Sequence, residues 1–211
     1  MKYLKYTSIA LMTVILIAAL TCFGFYQYLL NNDGGFARAV SSDEQQLRFQ
    51  LVVEAKLWLG TPEGSSRHRE IIDIYNSHEP LAQGYEVTID DNWCAAFASA
   101  MAISCDMTDI IPTECGCERQ VGLWKDLGRW EEDESYIPLP GDYIYYAWDD
   151  HWKFGDCTGW ADHVGIVVGT SGPFLKVIEG NRDDAVAYRI IFRNHPEIRG
   201  YGLPDFSSKI P

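Results

Sequence analysis

Residues 90–102 read DDNWCAAFASAMA. Alanine, which recurs through this stretch, has the highest helix propensity of any residue, and aspartate and asparagine are favoured where a helix begins. We therefore predict a helix that starts beside Cys94, with Asp90, Asp91 and Asn92 supplying its cap. Because the side chains that follow are mostly small or apolar, this helix is predicted to be buried, with Cys94 in its first turn.

Further helices are predicted on both sides of this segment. Residues 41–44 (Ser-Ser-Asp-Glu) have the S-x-x-E spacing in which a hydroxyl and a carboxylate satisfy free amides at a helix start. Two more helices are predicted over residues 67–75 and 118–127. After the first start signal, apolar residues recur at four-residue steps, which is typical of a helix with one face on a core; they are Leu47, Leu51, Ala55 and Leu59.

From Pro138 onward the sequence changes to short runs rich in β-branched and aromatic residues, separated by glycine and aspartate. Helices followed by consecutive strands indicate an α+β fold, in which N-terminal helices pack on an antiparallel β-sheet. The helix that begins at Cys94 is expected to lie against this sheet. The predicted strands cover residues 143–146, 163–168, 174–178 and 186–192.

The N-terminal region is typical of a membrane-spanning leader. Lys2 and Lys5 precede a run over residues 6–30 without a charged residue, and a bilayer crossing needs about 20 apolar residues. Lysines before the run predict a cytoplasmic N-terminus, so that the rest of the chain faces outward.

The chain is therefore expected to have three parts. We predict a transmembrane signal anchor or uncleaved signal sequence over residues 1–30, a linker over 31–40 and one compact domain over 41–211. Cleavage at residues 37–39 (Ala-Arg-Ala) is the alternative and would release a secreted protein.

The net charge of the chain is strongly negative. Thirty acidic residues against 17 basic ones give a formal charge of −13. A nucleic-acid partner would require a basic face to neutralise phosphates, so this class of function is disfavoured. A solvated acidic surface is the simpler interpretation.

Cys94 and His163 are candidate catalytic residues. A thiol attacks as the thiolate, and the free amides and positive dipole end of a helix start favour that ion. His163 begins a predicted strand and is the candidate base. Glu179 and Asn181, at the end of the next strand, are candidates to orient its ring. A buried cysteine is more often inert packing, so spacing alone leaves both interpretations open.

Four short segments sharpen this interpretation. In chain order they are 93–97 (Trp-Cys-Ala-Ala-Phe), 140–144 (Pro-Gly-Asp-Tyr-Ile), 161–167 (Ala-Asp-His-Val-Gly-Ile-Val) and 178–181 (Ile-Glu-Gly-Asn). Together they resemble the CHAP family, the cysteine, histidine-dependent amidohydrolases and peptidases of bacterial and phage cell-wall enzymes. The resemblance extends over residues 47–204.

The resemblance implies a papain-like fold and the mechanism of the NlpC-like wall peptidases. It assigns the nucleophile to Cys94, the general base to His163 and the polar orienting groups to Glu179 and Asn181. The implied function is hydrolysis of a peptidoglycan amide, by an amidase or endopeptidase that passes through a thioester. The chain would then be a monomeric CHAP-like catalytic domain (41–211) at the cell membrane, with peptidoglycan as its partner and no cofactor.

Metal binding is not expected. Certain CHAP members hold calcium in an Asp-rich loop before the nucleophile, but residues 90–92 (Asp-Asp-Asn) lack the alternating oxygen ligands of such a loop. Residues 148–160 carry three aspartates, and an acidic surface hairpin is preferred there over a calcium loop. Zinc is disfavoured because residues 115–117 (Cys-Gly-Cys) lack the C-x₂-C spacing. Disulfides or buried thiols are expected, with the pairing left open, at Cys105, Cys115, Cys117 and Cys157.

Two alternatives remain beside these assignments. Trp93 is predicted to line the substrate site beside the nucleophile, because pockets are commonly aromatic, with core packing as its alternative. A non-catalytic wall-binding or scaffold module that keeps the fold is the alternative to an enzyme. A redox protein is disfavoured because the sequence contains no C-x-x-C pair.

Overall fold

The computed structural model describes residues 2–133, 135–148 and 157–210. The described residues include two short 3₁₀ helices, Ala82–Gly84 and Phe206–Lys209. Within the described residues the α-helices are α1 (Lys2–Asn31), α2 (Ser42–Leu57), α3 (Ser66–Asn76), α4 (Cys94–Ser104) and α5 (Cys117–Asp126).

The strands of the described residues join in a six-stranded sheet with the order β1-β6-β2-β3-β4-β5. Every neighbouring pair is antiparallel. The fold is therefore α+β with an antiparallel sheet, as the sequence predicts. The strands are β1 (Trp130–Glu131), β2 (Tyr143–Tyr146), β3 (His163–Ser171), β4 (Phe174–Arg182), β5 (Ala185–Phe192) and β6 (Ile198–Gly202).

The predicted helices are present, with ends that differ by a residue or two. The Ser41 hydroxyl accepts a hydrogen bond from the Glu44 amide at 3.1 Å, so the predicted start signal caps α2. Leu51 and Ala55 are buried on the predicted apolar face. Leu59 was expected on the same face, but α2 ends before it and its side chain is 40% exposed.

The strands β3 and β4 are longer than their apolar runs predict. Pairing continues through the hairpin between them to Ser171 and Phe174, and β4 pairs with β5 as far as Arg182. Backbone hydrogen bonding extends the sheet where the side chains are already polar. As a result Glu179 lies inside β4, opposite Ala187, and not beyond its end.

The helix α4 is the centre of the core and packs against β3 and β4. All residues from Cys94 to Ala102 are buried. A side chain at Gly180 would place its Cβ 2.5 Å from the Cβ of Phe97, which is closer than real contacts allow. Glycine at this position therefore lets the helix approach β4 closely and brings Cys94 toward the strands that carry His163 and Glu179.

Asp142, in the segment 140–144, fixes the start of β2. The side chain is fully buried, and its carboxylate accepts hydrogen bonds from Arg48 Nη1 (2.8 Å), the Tyr136 hydroxyl (2.7 Å) and the Leu139 amide (2.8 Å). A buried carboxylate is tolerated only when it is paired and hydrogen-bonded in this way. Because Arg48 belongs to α2, this contact ties the first helix of the domain to the sheet.

Among the described residues, α1 is the helix long and apolar enough to cross a membrane. Its apolar stretch, Leu11–Asn31, has 21 residues and a mean hydropathy of 1.8, and only 6% of the stretch is buried. These properties fit a membrane span, and they equally fit a signal sequence at the N-terminus.

Candidate active site

Cys94 is the first residue of α4 and is 5% exposed. The residue before it, Trp93, occupies the cap position without a side-chain hydrogen bond to the helix start. The first amides of a helix have no partner within the helix, so they remain available to the Cys94 sulfur and to atoms bound next to it. The Ala95 amide makes such a hydrogen bond to the sulfur.

The predicted cap of this helix is wrong. Asp91 does not reach α4, because its Oδ2 accepts hydrogen bonds from the amide and the hydroxyl of Thr88, each at 2.7 Å. The Tyr85 hydroxyl also donates to the Asp91 carboxylate. These bonds close the loop before the helix, and the sequence could not distinguish that loop from a cap, since both use aspartate to hold amides.

His163 and Glu179 meet across two neighbouring strands. His163 is the first residue of β3, and its Nε2 lies 3.1 Å from Oε2 of Glu179 in β4. The same imidazole interacts with Cys94, so the ring connects the thiol to the carboxylate. The structure thus brings together the predicted nucleophile, base and one orienting group.

Glu179 is a fully buried charge with several cationic neighbours. Besides His163, its carboxylate contacts Arg189 Nε at 2.6 Å and Arg182 Nη1 at 3.7 Å. Burial alone would raise the pKa of Glu179, but the hydrogen bonds from His163 and Arg189 outweigh it and hold that pKa below its usual value. The carboxylate is therefore ionised at neutral pH and faces the imidazole as an anion.

The partner Arg189 lies on β5 and was not identified from the sequence. Its guanidinium also lies 4.7 Å from the centre of the Trp148 ring and 5.3 Å from that of Tyr146. Trp148 stacks on Tyr146 at 4.5 Å and lies 6.1 Å from the His163 ring. Two stacked aromatic rings thus lie beside His163, and the Arg189 guanidinium packs against both of them.

Cys117 is the unexpected member of the site. It is the first residue of α5, is 7% exposed, and its sulfur lies 3.5 Å from that of Cys94. A hydrogen bond from the Cys117 thiol, together with His163, holds the pKa of Cys94 well below its ordinary value in spite of burial. The same hydrogen bond, together with burial, raises the pKa of Cys117 well above its ordinary value, so Cys117 stays protonated.

The imidazole carries the matching positive charge. Burial disfavours the imidazolium, but the interactions with Cys94 and Glu179 outweigh burial and raise the pKa of His163 to about 9. The lowered pKa of Cys94 and the raised pKa of His163 thus favour a thiolate beside an imidazolium, which is the state of an activated nucleophile beside a proton donor.

Asn181 was a candidate to orient the imidazole, but its side chain lies beside Asn92. Its amide nitrogen lies 3.4 Å from Oδ1 of Asn92, two residues before Cys94, and its backbone has a φ of 54°. The left-handed backbone turns the side chain toward the loop before α4, because asparagine tolerates this conformation. Orientation of His163 is left to Glu179.

Trp93 was predicted to line the substrate site, but the structure places its ring in the core. The ring has no exposed surface, its centre lies 4.3 Å from that of the tilted His68 ring, and its Nε1 donates a hydrogen bond to Glu63 at 2.9 Å. A ring enclosed in this way has no face to offer to a sugar or peptide. Trp124 is also fully buried.

The remaining predictions concern metal and disulfides. Within residues 2–133, 135–148 and 157–210, no group of three or more His, Cys, Asp or Glu side chains is arranged to hold a metal ion. Residues 149–156 of the segment considered as a calcium loop lie outside the described residues. Cys94, Cys105, Cys115 and Cys117 are free cysteines in the structure.

Comparison with known proteins gives little. No family model matches the chain, and no curated protein matches it. A solved structure titled "The crystal structure of Ly7917" aligns with 12% sequence identity and a TM-score of 0.43, over 75% of this chain and 62% of that one. The chain thus spans less than two thirds of that structure, and at this TM-score the similarity supports no conclusion.

Proposed function

We propose that this protein is a papain-like cysteine hydrolase that cleaves amide bonds in peptidoglycan. The observation that carries the proposal is the contact between three groups: a thiolate at an uncapped helix start, an imidazolium, and a buried carboxylate. Cys94, His163 and Glu179 supply these groups. Nucleophilic catalysis by cysteine requires this combination of a lowered thiol pKa, a proton carrier and an orienting group.

In the first half-reaction, the Cys94 sulfur forms a bond to the carbonyl carbon of the amide. The carbonyl oxygen becomes an oxyanion, which the backbone amide of Cys94 at the helix start stabilises. His163 gives its proton to the departing nitrogen, the carbon–nitrogen bond breaks, and a thioester remains on Cys94.

In the second half-reaction the imidazole works in the opposite direction. Neutral His163 takes a proton from water, the oxygen attacks the thioester, and the Cys94 thiolate leaves. This restores the thiolate and the imidazolium. Glu179 keeps its charge throughout, and it stabilises the imidazolium in both half-reactions.

The substrate class rests on two properties of the sequence. The segments around Cys94, Asp142, His163 and Glu179 resemble those of the CHAP family. The apolar N-terminal helix would place the domain outside the cytoplasm, where peptidoglycan is found. We propose that the protein acts at the outer face of the cell membrane as a single-pass protein, or after release if the leader is cleaved.

The test is a comparison of two cysteine variants on purified sacculi. Cys94→Ala is expected to abolish the release of new amino groups, while Cys105→Ala, which removes another buried thiol near the end of the same helix, retains it. Both should keep the circular dichroism spectrum of the wild type. Release by Cys94→Ala at the wild-type rate would refute the nucleophile.

Mass analysis of the same digests identifies the bond. Free lactyl groups on the glycan indicate an amidase, and new peptide N-termini indicate an endopeptidase. If the wild type releases neither product, and a thiol-reactive probe at neutral pH does not label Cys94 in preference to the other cysteines, the proposal of an enzyme is refuted. The alternative function, a non-catalytic wall-binding or scaffold module, is then favoured.

A further inference from the structure

Amide hydrolysis needs one nucleophilic sulfur, and the Cys117 sulfur forms no covalent bond in it although its hydrogen bond lowers the pKa of Cys94. The two residues are 23 positions apart in the chain, yet their sulfurs lie 3.5 Å from each other. Each is the first residue of a helix, α4 or α5, so the starts of two helices meet at this pair.

We propose that Cys94 and Cys117 form a reversible disulfide that switches the hydrolase off. The inference rests on the proposed function, and it takes a small-molecule disulfide, of the glutathione type, as the oxidant. A disulfide bond is about 2.05 Å long, so the two sulfurs need to approach by about 1.5 Å. Side-chain rotation and small shifts at two helix starts can supply this movement.

The chemistry proceeds by two exchanges. The Cys94 thiolate attacks one sulfur of the oxidant, forms a mixed disulfide, and expels the other half as a thiolate. Cys117 then loses its proton to solvent, attacks the Cys94 sulfur, and expels the remaining half. Two protein thiols are oxidised, one disulfide is reduced to two small thiols, and the electrons balance.

The electrostatics of the pair favours this order of events. While Cys94 is a thiolate, the shared hydrogen bond, burial and the neighbouring negative charge raise the pKa of Cys117 and keep it protonated. In the mixed disulfide the Cys94 sulfur is neutral, so the two contributions of Cys94 to the raised pKa of Cys117 are removed, while burial and Asp162 still raise that pKa. The second sulfur is therefore held in reserve until the first has reacted.

Two other described thiols, Cys105 and Cys115, are less suited to this role. The Cys115 sulfur lies within hydrogen-bond distance of Glu114 and Arg119, and that of Cys105 points toward the Gln50 carbonyl at 3.9 Å. Burial raises the pKa of Cys105 to about 12 and that of Cys115 above its ordinary value, so both are poor nucleophiles at neutral pH. Cys115 is two residues from Cys117 and provides a matched control.

The experiment treats the full-length protein in detergent micelles with oxidised glutathione, blocks remaining thiols with iodoacetamide, and maps peptides by mass spectrometry. We expect a Cys94–Cys117 cross-linked peptide pair, loss of hydrolase activity, and recovery of both free thiols and activity after dithiothreitol. Cys115→Ser should behave like the wild type. Cys117→Ser should stop at a mixed disulfide between glutathione and Cys94.

Two results would overturn the inference. One is a wild type that accumulates glutathione on Cys94 without forming the cross-link. The other is a wild type that forms no Cys94 disulfide while iodoacetamide still labels that residue. Either result leaves the proposed hydrolase standing if the reduced protein digests sacculi. Conversely, a cross-link that forms in a protein without activity on sacculi refutes the hydrolase and keeps the dithiol.

Discussion

At the scale of single residues, Glu179 is the charge on which the site depends. We expect Glu179→Gln to lower the pKa of His163 from about 9, because an anion that favours the imidazolium becomes neutral. The neutral side chain of this variant leaves Arg189 without its charge partner, which should lower the free energy of unfolding by about 1–3 kcal/mol. Loss of oriented acid–base catalysis should lower kcat by about 10²-fold or more.

The measurement for this variant is a nuclear magnetic resonance titration of His163 together with kcat. The control is Glu197→Gln, which neutralises a carboxylate 3.6 Å from the partly exposed His195 and should leave both quantities unchanged. An unaltered His163 titration in Glu179→Gln would show that the carboxylate does not hold the imidazolium.

The pH profile follows from the same pair of residues. The pKa of Cys94 is lowered, so the thiolate forms well below the ordinary cysteine range, and activity rises with pH on that limb. The imidazolium that protonates the leaving amine is lost as pH rises through about 9, so activity falls there. We expect a bell-shaped plot of kcat/KM with an alkaline limb near that value.

Stability responds to pH with opposite signs at these two residues. The raised pKa of His163 contributes stability that is fully present below its ordinary value of 6.5 and is lost as pH rises through about 9. The lowered pKa of Cys94 contributes stability that is present above the ordinary cysteine pKa and is lost as pH falls through the lowered one. In the plot of kcat/KM against pH, an alkaline limb that persists unchanged in His163→Ala would contradict the assignment of His163 as the acid.

Sequence reasoning reached Cys94, His163 and Glu179 because each lies in a short segment with its own local signature. It missed Arg189 and Cys117 because their roles depend on contacts between distant elements. A buried carboxylate requires a partner, so a search of the strand next to Glu179 for a cation would have pointed to Arg189. For Cys117, one among several candidate cysteines, no local signal distinguished it from Cys115.

At the scale of elements, the approach of α4 to β4 sets the distance between nucleophile and base. Gly180→Ala would bring a Cβ to 2.5 Å from Phe97 Cβ, so the helix must move or the core must strain. We expect a loss of about 1–3 kcal/mol in the free energy of unfolding, typical of overpacking, and a lower kcat. Chemical denaturation and kinetics on the same sample measure both.

The matched control for this substitution is Gly122→Ala in α5. A Cβ at Gly122 meets no atom within 4 Å, and alanine is the better helix former, so a gain of about 0.5–1 kcal/mol is expected. If Gly180→Ala were as stable and as active as the wild type, the close approach of helix and strand would not control the site.

Element boundaries show what local patterns can and cannot determine. The cap at Ser41 was predicted correctly, because the hydroxyl and the amide that it accepts from are three residues apart. The cap of α4 was not, because Asp91 serves the preceding loop through Thr88. Strand β4 extends past its apolar run to Arg182, since pairing with β5 determines its end and hydropathy does not.

At the scale of the whole molecule, the α+β class follows from the order of helical and strand patterns. The relation between the N-terminal helix and the domain does not, because it depends on contacts that no periodicity records. Lys176 on β4 donates from Nζ to the Leu30 carbonyl at 2.6 Å and to Asp33 at 2.9 Å. Lys56 on α2 reaches the same Asp33 carboxylate at 2.6 Å. The end of α1 is thus attached to both layers of the domain.

This attachment predicts the behaviour of Asp33→Asn. Two lysines outweigh the effect of burial and hold the pKa of Asp33 below its usual value. Its stabilising contribution is therefore present above the ordinary aspartate pKa and is lost as pH falls through the lowered one. The carboxylate side chain is 41% exposed, so the substitution should change the free energy of unfolding by no more than about 1 kcal/mol. Its main effect should be local release of residues 31–41, since the asparagine cannot pair with either lysine.

Limited proteolysis of the full-length protein in detergent measures that release. Cleavage within residues 31–41 should be faster in Asp33→Asn than in the wild type at neutral pH, and the two should converge at acidic pH, where the wild-type carboxyl is protonated. The control is Asp73→Asn, an exposed aspartate on α3 that carries the same change of charge away from the attachment. Equal cleavage of all three proteins at neutral pH would show that Asp33 does not hold α1 against the domain. In that case the ion pairs of Asp33 with Lys56 and Lys176 would not protect residues 31–41 from the protease.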